Sequence, residues 1–167
     1  AARAQQRQRE AEELERSKAA AAAERKRAGA PRNGRPITSE LGNVSPVIVV
    51  PGPWSRGDLR YHGENLASSL ATNAGFNCNA GNVAVLPAGW DRSDALVERI
   101  MHHLGERPCR KAWYPGARER QQEFLDRYTD AACFGSPPGE SIPWALLPDI
   151  PPVKGEYALT NEAFCGV

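Results

Sequence analysis

Three short stretches of the chain hold side chains whose types suit chemistry. Cys78 lies in a run of small and amide residues, Asn73-Ala-Gly-Phe-Asn-Cys-Asn-Ala-Gly81. A thiol nucleophile needs an exposed, pre-positioned seat with backbone N–H groups nearby to hold an oxyanion. Gly75 and Gly81 give this run the freedom to turn sharply. Glu40 opens a second stretch, Glu40-Leu-Gly-Asn-Val-Ser-Pro46, where a carboxylate at a strand entrance beside a glycine could reach into a cleft. Glu162-Ala-Phe164 is the third. Taken singly, each also has an ordinary reading: a loop thiol with no task, or surface acids. Cys109 and Cys133 have no comparable setting.

The four cysteines, Cys78, Cys109, Cys133 and Cys165, stand 31, 24 and 32 residues apart. No CxxC pair or Cys/His ligand spacing occurs, so no metal site is expected. A disulfide framework suits small secreted domains, and no signal peptide is visible, so free thiols in a reducing, intracellular and cytoplasmic setting are the expectation.

The elements that must position these residues follow from local patterning. Pro46-Val-Ile-Val-Val50, stopped by Pro51-Gly-Pro53, reads as a strand buried on both faces. Leu59, Leu66 and Leu70, with Gly63 and Ala67, keep helical spacing behind Ser55 as N-cap. Val83–Leu86 predicts a second strand, and Asp91 or Ser93 opens a helix with Val97, Ile100, Met101 and Leu104 on one face. A third strand is expected around Ala112–Tyr114. A third helix is expected on Ala117, Gln121, Phe124, Leu125 and Tyr128. Six of the 17 residues from 137 to 153 are proline, which predicts an extended loop. The strand–helix alternation predicts an α/β fold, a largely parallel sheet with flanking helices.

Composition bounds the rest. A chain of 167 residues makes one ordinary domain. Leu14 is the one Leu, Ile, Val or Phe in residues 1–36; the other 29 fall in 37–167. Residues 1–36 are therefore expected to be an Ala/Arg/Glu-rich helical or disordered segment. Glu12 and Arg16 are placed for an i,i+4 pair, no stripe is there to bury, and Gly29, Pro31, Gly34 and Pro36 break the segment. A net charge of +1 gives no electrostatic case for nucleic acid, and no apolar run is long enough to span a membrane. The chain opens on Ala1 and not Met, which reads as a processed, trimmed or partial chain.

Read together, the three stretches resemble the NAD(P)-dependent aldehyde dehydrogenase superfamily over residues 37–167. Glu-Leu-Gly with Ser-Pro comes first, Gly-Phe-Asn-Cys places Cys78 38 residues after Glu40, and Glu-x-Phe follows near the end. Asn82–Leu104 is similar to the strand and helix that follow the family's cysteine. The resemblance implies that residues 37–167 are a partial catalytic domain of that fold. It implies Cys78 as nucleophile, forming a thiohemiacetal and then a thioester, with its own N–H as an oxyanion donor. Glu40 would activate water, Glu162 would bind the nicotinamide ribose hydroxyls, and Phe164 would pack near the nicotinamide of NAD or NADP. The implied partners are an aldehyde substrate and the rest of the enzyme or other subunits. This chain has Asn43-Val44 where the family usually has Gly-Lys, and Cys165-Gly166 where it has Gly-Pro. The family's cofactor domain and oxyanion asparagine lie upstream of the Glu motif, and residues 1–36 show no counterpart. The alternative is a truncated, non-catalytic relative serving as a structural or interaction subunit docked through its N-terminal segment.

Overall fold

The structure, a computed structural model, describes residues 2–30, 35, 36, 38 and 42–167. It divides into two compact units, Ala1–Ser39 and Glu40–Val167, three residues beyond the boundary expected after residue 36.

The first unit is built on α1 (Ala2–Arg27), a run of strong helix formers with Arg25, Lys26 and Arg27 in the last turn. Those cations face the negative end of the helix dipole. The helix stops where Gly29 takes a left-handed φ of 62° and Ala30 N–H donates back to the Arg25 carbonyl at 3.0 Å. Leu14 is exposed. Glu12, expected to pair with Arg16, accepts from Gln8 Nε2 at 3.2 Å.

In the second unit, β1 (Ser45–Ile48) and β2 (Gly81–Val85) pair in parallel, Ser45 against Gly81 and Ile48 against Val85. The first strand departs from expectation: Val49 is buried, but Ile48 and Val50 are 72% and 71% exposed. The sheet is only two strands wide, and α2 (Arg56–Ala71) and α3 (Ser93–Glu106) pack together with Val49 in a core made by Leu59, Ala67, Leu70, Leu96, Ile100 and Leu104. The outward-facing side chains of β1 therefore have no covering layer among the described residues.

Ser55 caps α2 as expected. Its Oγ accepts from Asp58 N–H at 3.2 Å while the Asp58 carboxylate accepts from Ser55 N–H at 2.8 Å, a closed capping box. At α3 the cap position is Arg92, with no side-chain cap bond, and the innermost residues are Leu96, Ile100 and Leu104. Val97 and Met101, expected on that face, are half-buried. The two strand–helix units also repeat: Val47-Ile-Val-Val-Pro-Gly-Pro-Trp-Ser-Arg-Gly-Asp58 recurs 36 residues later as Val83-Ala-Val-Leu-Pro-Ala-Gly-Trp-Asp-Arg-Ser-Asp94.

The sheet is not largely parallel. Beside the parallel pair are two antiparallel ones, β3 (Arg110–Lys111) with β5 (Ser141–Ile142), and β4 (Ala132–Phe134) with β6 (Trp144–Leu146). The strand expected at 112–114 is displaced to β3, because Pro115 and Gly116 turn the chain into α4 (Ala117–Arg127). Two strands lie inside the proline-rich stretch expected to be loop. Pro143 and Pro148 fall outside the paired residues, so each of Trp144–Leu146 keeps an N–H, and that of Ala145 leaves the ladder to donate to the Gly166 carbonyl at 2.8 Å. On α4, Ala117, Gln121 and Phe124 are buried, and Gln121 Nε2 donates to the Pro143 carbonyl at 2.7 Å. Ala74, Phe76, Ala117, Phe124, Ile142, Ala163 and Cys165 make a second core. No described helix is long and apolar enough to cross a membrane.

Candidate active site

Cys78 sits on an exposed turn just before β2. The backbone leading to it is unusual. Asn73, Ala74 and Gly75 are three consecutive left-handed residues, with φ of 52°, 59° and 81°. Such a conformation costs a non-glycine residue about 1 kcal/mol or more, so the surroundings must hold it. Burial of Ala74, Gly75 and Phe76 does so, with Asn73 Nδ2 donating to Asn77 Oδ1 at 3.1 Å and Ala80 N–H closing on the Asn77 carbonyl at 3.0 Å. Gly81, expected to turn the chain, has no positive φ; a Cβ there would lie 3.0 Å from Val47 Cγ2, so it serves the close approach of β1. Ser45, the first residue of β1, donates its Oγ–H chiefly to Asn43 Oδ1 at 2.5 Å, with the Cys78 carbonyl as a second, longer acceptor at 3.3 Å. The turn is thus tied to the amino end of β1.

Glu40 and Leu41 lie outside the described residues, so the separation of Glu40 and Cys78 lies there too. Gly42, which closes the Glu-Leu-Gly motif, is described. Its φ is 148°, and a Cβ on it would fall 1.8 Å from Glu162 Oε2. The Glu162 carboxylate therefore rests against the backbone two residues from Glu40. Gly75 makes a matching contact, since a Cβ there would lie 2.6 Å from the Cys165 carbonyl carbon. Between these two touchdowns Phe164, held at φ 51°, puts its ring 5.5 Å from Phe76 and 4.7 Å from Tyr114. Residues 162–165 bridge the other two motifs, one at each glycine.

What holds that bridge is a clasp between α4 and α5 (Tyr157–Thr160). Tyr128 donates its hydroxyl to the Glu156 carboxylate and accepts from Ala158 N–H at 3.0 Å. Burial and the Glu156 carboxylate push the Tyr128 hydroxyl above its usual range, so it keeps its proton in this role. The Arg127 guanidinium lies 4.0 Å from the Tyr157 ring centre. The sequence marks Tyr128 only as a helix-face residue. Its polar task depends on a partner 28 residues away, which no local pattern shows.

All four cysteines are free. Cys133 is exposed, Cys109 half-buried, and Cys165 fully buried, with its thiol pushed up to about 12 by burial. Among the described residues no group of three His, Cys, Asp or Glu side chains gathers to hold a metal ion.

For a dinucleotide the residues fit at one end only. Glu162, with Gly42, Asn43, Val44, Leu159 and Thr160, lines a shallow cavity of about 410 Å³, where a carboxylate suits ribose hydroxyls. Among the described residues the phosphate end has no such seat. The first turns of α2 and α3 hold their own acids, Asp58 and Asp94, which oppose a pyrophosphate there. Comparisons of the chain with protein-family models, with curated proteins and with solved structures return no match.

Proposed function

We propose that residues 40–167 form the thiol-bearing part of an aldehyde-oxidising site of the aldehyde dehydrogenase type. The observation that supports this reading is the bridge. Residues 162–165 rest on Gly42 and Gly75, so three motifs far apart in sequence meet around the amino ends of β1 and β2.

In the proposed reaction the Cys78 thiolate adds to the aldehyde carbonyl carbon, forming a C–S bond and sending the π pair to oxygen. The Cys78 N–H would donate to that oxyanion. NAD or NADP, when bound, would supply the hydride acceptor, and Glu162 would hold its ribose. Once the hydrogen has left with its electron pair, Cys78 carries a thioester. Glu40 takes a proton from water, the water oxygen attacks the thioester carbon, and the C–S bond breaks to return the Cys78 thiolate and release the acid.

A limiting dose of iodoacetamide followed by peptide mapping tests the nucleophile. Cys78 should be labelled ahead of Cys133, Cys109 and Cys165. Labelling of Cys78 no faster than that of Cys133 would remove the reading and favour the non-catalytic subunit docked through α1. A second measurement tests the cofactor side. One or two hydrogen bonds from Glu162 are worth about 1 kcal/mol each. A 10 μM site needs about 7 kcal/mol. Calorimetric titration of NAD and NADP into the 167-residue chain should therefore show no micromolar binding, and micromolar binding would show a phosphate seat that the described residues lack.

A further inference from the structure

α1 is 26 residues long and has no apolar stripe to bury. A helix that is polar all round needs either a partner or a dense net of its own ion pairs. The net in α1 is thin. Among the described residues its one ion pair is Lys18 with Glu15, and Glu12, placed for Arg16, accepts from Gln8 instead. The guanidinium groups of Arg16 and Arg27 make no hydrogen bond or ion pair among the described residues. Glu12, Arg16, Ala19, Ala20, Ala23 and Arg27 recur at three- and four-residue steps, so they share one face, and all six are exposed. The two half-buried residues of the helix, Ala21 and Arg25, lie on the opposite face.

Read in reverse, this face is its own complement. When two copies of the helix run antiparallel about a point between Ala19 and Ala20, Ala19 meets Ala20, Arg16 meets Ala23 and Glu12 meets Arg27. Alanines at the crossing let the helix axes approach to about 8 Å. The aliphatic stem of each Arg16 then lies over an alanine, large against small. Opposite charges meet at both ends. Other arrangements lose this match. A parallel pair in register sets Glu12 on Glu12 and Arg27 on Arg27. An antiparallel pair centred on Arg16 sets that cation on itself, and one centred on Ala23 carries Glu12 past the end of the second helix. Like charges facing across a contact select against the wrong registers.

We infer that α1 is a pairing helix for a second copy of this chain, antiparallel, with Glu12 of each copy on Arg27 of the other. The pairing stands whether or not Cys78 is a nucleophile. The shared face is smaller than a standard interface, so the dimer is weak, forming at about 100 μM chain and dissociating at about 1 μM. Sedimentation equilibrium of the 167-residue chain across that range reads it. E12R and R27E each set like charges together at both ends of the contact, and each should weaken the dimer about tenfold. An equimolar mixture of the two variants restores opposite charges at both ends, between unlike chains, and should dimerise at least as tightly as the unsubstituted chain. E10R and K18E make the same charge changes on the opposite face. Alone or mixed, they should leave the dissociation constant within about twofold. All four side chains are exposed, so far-UV circular dichroism should not change.

A chain that stays monomeric at about 200 μM, twice the expected midpoint, would overturn the pairing. So would a dimer that E12R and R27E leave intact, which would assign association to another surface, or a mixture no tighter than either variant alone. Equal strengthening in the E10R and K18E mixture would give the recovery to net charge and not to this face, and also overturn it.

Discussion

The two ends of the β1–β2 pair are built from the same kind of strand and finished in opposite ways. At the carboxyl ends, where parallel sheets commonly open a ligand crevice, the repeated Pro-x-x-Trp loops close on each other. Trp54 and Trp90 meet edge to face at 4.9 Å, Trp90 Nε1–H donates to the Gly52 carbonyl at 3.3 Å, and His62 packs on Trp54 at 4.5 Å. At the amino ends there is no repeat. Three left-handed residues, a free exposed thiol and a carboxylate laid on a glycine share that edge. The carboxyl end uses aromatic mass to seal; the amino end holds strain and polar groups in place. In this chain the edge to examine for chemistry is the one the general rule for parallel sheets passes over.

The largest contrast lies between two thiols at the amino end. With its thiol pushed up to about 12, Cys165 is about one part in ten thousand ionised at pH 8. Alkylation of the folded chain at that pH should leave Cys165 unmodified long after Cys78 is consumed, and comparable rates would show that the bridge opens freely. The same group sets a pH dependence. Its folded pKa is raised above the ordinary thiol value of about 9, so the folded state binds more protons between the two. Stability from this source is complete below about pH 9 and falls as pH rises towards about 12, by up to about 4 kcal/mol. Urea midpoints at pH 8 and pH 10.5, compared with those of Cys165→Ala, measure it; equal falls in both proteins would assign the loss elsewhere.

Next in size is Gly75→Ala, which puts a methyl on the Cys165 carbonyl in a left-handed backbone. It should cost about 2–4 kcal/mol. The same change should speed labelling of Cys165, because the bridge must lift. A stability change below 1 kcal/mol would mean that residues 162–165 rest elsewhere.

At the sealed end, Trp90→Ala should cost about 2–3 kcal/mol while leaving the rate of Cys78 labelling unchanged. Equal damage to both would join the two ends into one unit and dissolve the comparison. The smallest effect expected is that of Ser45→Ala, which removes the one hydroxyl proton shared between Asn43 Oδ1 and the Cys78 carbonyl. A neutral bond of this kind is worth about 1 kcal/mol. Its signature is local: faster amide exchange at residues 77–80 with little change in the urea midpoint.

Much of this fold is legible in the letters. Leucine spacing marks α2, a Ser55 cap starts it, and apolar runs mark β1 and β2, because local geometry decides each of these. The 36-residue recurrence of Val, Pro, Trp, Arg and Asp is likewise open to inspection. Strand pairing is not. The prolines of 137–153 read as loop, and only the partner strand shows that Trp144–Leu146 sit between them and pair with Ala132–Phe134. The exposure of Ile48 and Val50 is hidden for a related reason, since an apolar run does not say how many layers will cover it. In the candidate site, residue types single out Cys78, and Glu40, Glu162 and Phe164 come forward only through the family resemblance. The contacts at Gly42 and Gly75 are visible only in three dimensions, because a glycine's letter does not say which atom takes the place of its missing side chain.

The bridge has a consequence for the order of folding. β1, α2, β2 and α3 are joined by neighbouring contacts along the chain, and such units form early. Residues 162–165 must find Gly42 and Gly75 across some 90 to 120 residues, and contacts that distant close late. A refolding chain should therefore pass through a stage in which the sealed Trp54–Trp90 end is already native while Cys165 still reacts as an open thiol. Pulsed alkylation during refolding would record the moment of closure as the disappearance of Cys165 from the labelled peptides.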